Sequence, residues 1–439
     1  MVKFFDSMRR ILSIFNEFNR KIWPQWIGRS SFSILGQAPR MIRNRCYCIL
    51  LTLILQTALH AAEWTGKIGI EKRNFENAPL SPLQRRDSLS ATFESEFYHD
   101  WQQGKQRIVV TPFARLDQSD RERSHVDLRE FYWRGSYSKV DLYIGLRKLF
   151  WGVTESIHLI DIINQSDMVE NIDGEDKLGQ PMISLAYTTT RGDWEFFLMP
   201  YFRERTFPGT VGRLRTPLVV DPERTLYESA AGKNHRDYAL RWSHIINDWD
   251  LGLSYFHGTN RTPQLMTVTD NHAVVLSPYY TQLDQLGLDL QYTHNAWLWK
   301  WESVLRLHNN RLNPKLKRSY AAVGGGEYTW YSIFSTDIGM ILEYQYDNRS
   351  GLQAPVANND IAIGTRFTFN DKDDSTLLAV LVIDVEQRSR FVSIEASRRL
   401  DNNLSVNIEM RIFSSATPQE RLYSLRNDDY FEILLTKYF

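Results

Sequence analysis

The sequence predicts an all-β fold: a transmembrane antiparallel barrel of about eighteen strands. Three observations carry the prediction. From Trp64 to the C-terminal Phe439 the chain divides into segments of roughly ten residues in which apolar and polar side chains alternate, the period of a β-strand. The links between segments are by turns tight and long, as in a barrel with short turns at one rim and long loops at the other. Aromatic residues make up 13% of the chain, with 13 Trp, 21 Tyr and 23 Phe, an excess that suits girdles at two membrane interfaces.

Taken in order, strands are expected near 64–75, 88–99, 105–116, 126–137, 140–149, 182–190, 193–203, 237–246, 250–258, 284–294, 297–308, 319–330, 333–346, 360–369, 376–386, 389–399, 403–413 and 429–439. The count is even, which brings both ends of the barrel to one side. Alternation is clear where Leu404, Val406, Ile408, Met410 and Ile412 oppose Ser405, Asn407, Glu409 and Arg411. It is equally clear where Val140, Leu142, Ile144 and Leu146 oppose Asp141, Tyr143, Gly145 and Arg147. Mid-strand charges of this kind need water on one face, which a lumen supplies. Tight links such as Ser138-Lys139, Arg191-Gly192, Asn295-Ala296 and Asp401-Asn402 follow the even strands. Long loops follow most odd ones: 76–87, 117–125, 150–181, 204–236, 259–283, 309–318, 347–359 and 414–428. The short Gln387-Arg388 link breaks this rule, so sixteen strands is an alternative count.

Upstream, residues 41–62 have the anatomy of a Sec-type signal peptide. Arg43 and Arg45 precede a short apolar run from Cys46, which exits through the small residues Ala58, Ala61 and Ala62. That run is too short to cross a bilayer as a helix. Residues 1–40 read as an N-terminal extension, with Met41 the initiator and the barrel occupying 63–439. Both cysteines, Cys46 and Cys48, lie in the signal segment, so no disulfide framework is expected. The formal net charge of +0 gives no basic excess for a nucleic-acid partner. Neither a linker nor a repeat of 20–50 residues divides the barrel region, which reads as one domain.

The long connections hold the chemistry. Loop 150–181 carries Glu155, Asp161, Asp167, Glu170, Asp173, Glu175 and Asp176 against the single Lys177, around an apolar stretch from Ile157 to Ile163. A solvated acidic surface loop and a folded loop seated on another surface both fit. Loop 204–236 has the opposite balance, with Arg205, Arg213, Arg215, Arg224, Lys233 and Arg236. Strand parity places Arg107, Arg115, Arg147, Arg203, Arg241, Arg306, Arg366 and Arg411 on the lumen side. These arginines either oppose the loop's carboxylates across a pore or pair with Glu94, Glu96, Asp289, Glu302, Glu343 and Glu409 to brace the wall. The run Asp173-Gly174-Glu175-Asp176 lacks the full spacing of a calcium loop, so no metal is expected. No HExxH, CxxC, P-loop or dinucleotide-binding pattern is present, and no cofactor is expected. Gly324-Gly325-Gly326 sits in a strand and reads as a bend or close contact. Ser243, His244 and His257 show no triad spacing, so the chain is not read as an enzyme.

The closing segment Tyr430-Phe431-Glu432-Ile433-Leu434-Leu435-Thr436-Lys437-Tyr438-Phe439 is a dyad strand ending on an aromatic. With the preceding segments it resembles Gram-negative outer-membrane β-barrels of the 16- to 18-strand, porin-like class. The resemblance implies that Phe439, Leu435, Ile433 and Phe431 form the signal read by the barrel-assembly machinery, although Lys437 stands where the family usually has an aromatic. It implies an outer-membrane location among lipid and lipopolysaccharide, with periplasmic turns and extracellular loops. It further implies diffusion of a small hydrophilic solute through a charged lumen. In porins the third outer loop, here 150–181, folds inward as the constriction. The constriction candidates are then Asp161, Asp167, Glu170, Asp173, Glu175 and Asp176 facing Arg147, Arg203, Arg241, Arg306, Arg366 and Arg411. The Phe150-Trp151-Gly152 exit is similar to substrate-specific porins and polysaccharide-export barrels. Two other classes stay open: a non-conducting structural or adhesion barrel that binds partners through its outer loops, and a barrel hydrolase. Solute, charge selectivity and the choice between monomer and trimer are not set by the sequence.

Overall fold

A computed structural model of the chain describes residues 62–439, apart from 271–272, 309–317, 351–354, 357, 416 and 419. The expected extension and, but for Ala62, the signal segment lie outside the described residues. The strands are β1 (Ala62–Phe75), β2 (Asp87–Trp101), β3 (Gln106–Asp117), β4 (His125–Tyr137), β5 (Val140–Arg147), β6 (Gln180–Thr189) and β7 (Gly192–Met199). They continue as β8 (Leu226–Tyr227), β9 (Asp237–Ile246), β10 (Trp249–Thr259), β11 (Gln264–Asp270), β12 (Ala273–Tyr280), β13 (Gln282–His294) and β14 (Trp297–His308). The last are β15 (Arg318–Ile333), β16 (Thr336–Asp347), β17 (Asn359–Thr368), β18 (Thr376–Asp384), β19 (Arg390–Asp401), β20 (Leu404–Ser414) and β21 (Tyr430–Tyr438).

Eighteen of these form one antiparallel sheet in chain order, and β1 pairs with β21 to close it. Each expected segment corresponds to one barrel strand, and the count is eighteen rather than sixteen. The irregular link at 385–389 is a short connection at the long-loop rim, not a missing pair of strands. Tight hairpins at the other rim place Ser138, Asn247 and Asn295 at φ of 57°, 54° and 54°, the left-handed backbone that two-residue turns require. Three strands escaped the reading of the sequence. β8, β11 and β12 form a separate ribbon within the loops 200–236 and 260–281. The run of β-branched residues from Thr267 to Thr269 and at Val274-Val275 is the signal that reveals it.

Side chains follow the dyad rule, and the register shifts inside β4 and at the short-turn ends of the β15–β16 and β19–β20 pairs. Along β1, Trp64, Ile68 and Ile70 point outward and are exposed, while Glu71 and Arg73 point inward and are buried. In β4 the register against β3 skips Arg129, so a bulge interrupts the ladder between Leu128 and Glu130. Arg129 and Glu130 then both face inward, because a bulge adds one residue without changing the partner strand's parity. The glycine triplet makes close contacts: a Cβ on Gly324 or Gly326 would collide with the rings of Trp301 or Trp299, which fold over them.

Candidate functional site

The connection between β5 and β6, residues 148–179, turns into the barrel and crosses it. Its first half is held by two carboxylates on the far wall. Glu302 of β14 accepts hydrogen bonds from the Val153 and Thr154 amides (2.8 and 3.1 Å), the Thr154 hydroxyl (2.8 Å) and the Ile160 amide (3.2 Å). Glu343 of β16 accepts from the Glu155 and Ser156 amides (2.8 Å each) and the Ser156 hydroxyl (2.6 Å). A buried carboxylate is costly unless its lone pairs are filled, and backbone N–H groups fill these. The apolar stretch packs beside this clasp. Trp151, Ile160 and Ile163 join Met182, Phe197, Phe256, Val304 and Val323 from the inner wall in one buried cluster. Gly287 leaves the room that Ile160 occupies. At about 1.5–3 kcal/mol per fully buried large side chain, this seat is the main apolar anchor of the loop.

The second half is charged and faces the wall that begins and ends the barrel. Arg115 donates to both oxygens of Glu170 (2.9, 3.0 and 2.7 Å) and to Glu71 (2.6 Å). Arg129, at the bulge, donates to Asp167 at 2.8 Å, and Thr206 donates to the other oxygen at 2.7 Å. Arg411 reaches Asp173 at 3.2 Å and Glu409 at 3.1 Å. Burial raises the Asp167 carboxyl, but His125, Arg129 and Thr206 outweigh it and hold the group below the usual range. Enclosure by the barrel pushes Asp173 up to about 6. It does the same to Asp176, helped by Glu170 and Asp173 nearby.

The constriction candidates separate into three groups. Asp167, Glu170 and Asp173 meet basic side chains of the wall as described. Asp161 pairs within the loop, with Lys177 at 2.9 Å, and Glu175 and Asp176 have no basic partner within 4.0 Å among the described residues. Of the arginines, Arg366 binds Glu155 (2.8 Å), Arg203 binds Asp127 (2.8 Å) and Arg241 binds Asp289 (2.8 Å). Arg306 is buried against Gln285 (2.8 Å) and Asp347 (3.4 Å). Arg147 has no carboxylate within 4.0 Å among the described residues; it stacks on Tyr143, 3.7 Å from the ring centre, and donates to Ser184 at 2.6 Å. Glu302 and Glu343, expected to brace arginines, hold loop backbone instead. The basic loop 204–236 does not face the acidic loop as a block: Arg213 pairs with Asp428 at 2.6 Å and Lys233 with Glu204. Arg123, Arg129, Glu71 and His125 were missed. The inward positions Met182, Phe256, Val304 and Val323 were the unread signal for the loop's seat, since a wet wall has no use for four apolar side chains.

Beside the charged half lies a cavity of about 630 Å³, with Lys67, Lys148, Asp176, Arg366, Glu395 and Glu409 among its lining residues. Toward the long-loop rim this side is covered by a second apolar cluster of Phe75, Leu214, Phe413, Leu422 and Tyr430, against which Ile172 packs.

The outer surface decides what surrounds the barrel. Ile144, Ile183, Leu253, Leu286, Leu305, Leu342 and Ile363 are exposed on the outward faces of mid-strand positions. Stacked aromatics border this belt near the short-turn rim, including Trp297 on Trp299 and Trp249 on Tyr292, while Tyr238–Tyr255 and Tyr320–Tyr346 lie toward the other. The fold is that of an outer-membrane β-barrel. Phe431, Ile433, Leu435 and Phe439 of the closing strand face outward on this barrel.

Solved structures with similar backbones include a loop-deletion form of OmpT, an outer membrane protein of Vibrio cholerae, at 10% identity and TM-score 0.47, over 86% of this chain and 99% of that one. A porin of Rh. blastica matches at 10% identity and TM-score 0.42, over 86% and 100%. Wzi, an Escherichia coli outer membrane protein involved in group 1 capsule assembly and described as a carbohydrate-binding β-barrel, matches at 9% identity and TM-score 0.49, over 89% and 87%. No known protein-family profile and no curated protein matches the sequence.

Proposed function

We propose that the barrel is a narrow channel for small hydrophilic solutes, with loop 148–179 as a fixed constriction. The observation that carries this reading is the double anchoring of the loop, by Glu302 and Glu343 on one wall and Arg115, Arg129 and Arg411 on the other. Such anchoring leaves a charged cavity of about 630 Å³ beside it. A loop held this way sets a size limit, and opposed charges along a lumen sort solutes by electrostatic barriers. The barrel would be built into the outer membrane by the assembly machinery, with lipid and lipopolysaccharide around its apolar belt. Purified protein in planar bilayers should give discrete conductance steps, and liposomes carrying it should swell in small sugars; silence in both assays defeats the reading.

The apolar cover of Phe75, Leu214, Phe413, Leu422 and Tyr430 favours a second reading, a non-conducting barrel that binds partners through its outer loops. Absent conductance together with surface binding would select it.

A further inference from the structure

We propose that His125 is a proton-controlled latch on the luminal loop, tying Asp167 and Glu170 to the rim of β4 as an imidazolium and loosening their hold, which Arg129 and Arg115 then carry alone from the wall, when it loses its proton. The argument is one of donors and acceptors. Nδ1 lies 3.0 Å from the Arg123 carbonyl oxygen, which can only accept, so Nδ1 carries a hydrogen in either charge state. Nε2 is buried, has no hydrogen-bond partner among the described residues, and lies 3.7 Å from Asp167 Oδ2 and 3.6 Å from Glu170 Oε1. A neutral ring would aim its lone pair at two carboxylates. An imidazolium aims an N–H at them.

The surroundings require the same charge. From β3, Arg115 donates to Glu170, and the Phe113 ring lies 5.5 Å from the imidazole. From β4, Arg129 donates to Asp167, and Asp127, two residues on from His125, is taken by Arg203. Behind these, Glu71 is shared by Arg115 and Arg123, and Glu432 is held by Arg73. Arg123 also reaches Asp117 at 3.0 Å. Five carboxylates of the cluster thus meet four guanidiniums, and a protonated His125 supplies the fifth positive charge. A divalent cation is the weaker candidate for this place. Both oxygens nearest Nε2 already accept from guanidiniums, at 2.8 Å from Arg129 and 2.9 Å from Arg115.

The latch is set at low pH and lost as pH rises through the imidazolium's own titration. Its existence does not depend on the channel reading, although its effect on conductance does. The test uses the full barrel folded in detergent micelles, between about pH 5 and 9. Nitrogen-15 NMR of histidine should show one resonance, missing in H125Q, that is protonated on both nitrogens at the acid end and on one at the alkaline end. Amide hydrogen exchange over 164–178 should be several-fold faster in the wild type than in H125K at alkaline pH and equal to it at acid pH. H125Q should exchange fast throughout. A His125 that is neutral across the range overturns the proposal. So does loop exchange in the wild type that tracks H125K at every pH. Saturable Zn²⁺ binding that disappears in H125Q overturns it as well, by showing a metal site in place of a proton. A barrel that never conducts yet keeps both steps defeats the channel reading and leaves the latch standing.

Discussion

Thr154 donates both its backbone N–H and its hydroxyl to the same oxygen of Glu302, at 3.1 and 2.8 Å, across 148 residues of sequence. Glu302 lies on β14, six strands round the barrel from the strand that launches the loop, so this contact marks where the loop lands. It holds the loop through backbone as well as side chain, and Thr154→Ala alone therefore leaves three of the four bonds.

Removing the carboxylate is a different matter. Glu302→Ala strands the Val153, Thr154 and Ile160 amides in a buried site, at about 1–3 kcal/mol for each group left unsatisfied. The expected result is a mobile first half of the loop: faster amide exchange over 150–163 and, in bilayers, larger and noisier conductance steps. A variant with wild-type exchange would show that the apolar seat suffices by itself.

Arg115 joins Glu71 to Glu170 with all three groups buried. Arg115→Met leaves two carboxylates without that partner, and breaking a buried pair in this way costs roughly 3–5 kcal/mol. The melting temperature, read from the heat-dependent gel shift of the barrel, should fall. The double variant R115M/E170Q should recover part of the loss, because it removes one stranded charge.

The cover at the long-loop rim has its own fastening. Arg213 pairs with Asp428 at 2.6 Å, lies over the Phe75 ring and bonds the Asn427 carbonyl, and the neighbouring Leu214 adopts a φ of 57° that costs a non-glycine residue about 1 kcal/mol or more. Asp428→Ala should free Leu214 from the apolar cluster and raise open probability. Linking the cover shut with a disulfide between L214C and L422C should lower conductance, reversibly on reduction.

Asp173 and Asp176 titrate near 6. Their carboxyls are raised, so they are charged above that pH and neutral below it. The permeability ratio of cation to anion, read from the reversal potential in a salt gradient, should therefore fall as pH drops from about 7.5 to 5. D173N/D176N should hold the low-pH ratio throughout. An unchanged wild-type ratio would place these carboxylates away from the ion path.

At the barrel seam, Phe439 exchanges two backbone hydrogen bonds with Gly66, at 2.9 and 3.0 Å, and its ring covers the glycine so closely that a Cβ there would collide with it. Phe439→Ala removes the ring that covers this seam, and Gly66→Val pushes the ring away. Both should lower the yield of heat-modifiable barrel in the outer-membrane fraction, with Gly66→Val the test of the seam itself, since it leaves the C-terminal residue intact.

The sequence by itself determined the barrel: eighteen segments, their inward and outward parity, and the alternation of turns and loops. These are properties of neighbours two residues apart, and the dyad repeat of a strand carries them without reference to the rest of the chain. It also marked loop 150–181 as unusual, by its acids and its apolar stretch, but left the loop equally placed inside or outside. Only the tertiary structure decided that it turns inward. The decision rests on contacts between residues 142 to 188 positions apart, such as Thr154 with Glu302 and Ser156 with Glu343. It also decided which arginine meets which acid. Arg129 follows His125 and Asp127 inward, and the bulge after it turns Glu130 inward as well, a change of parity that only the pairing with β3 records.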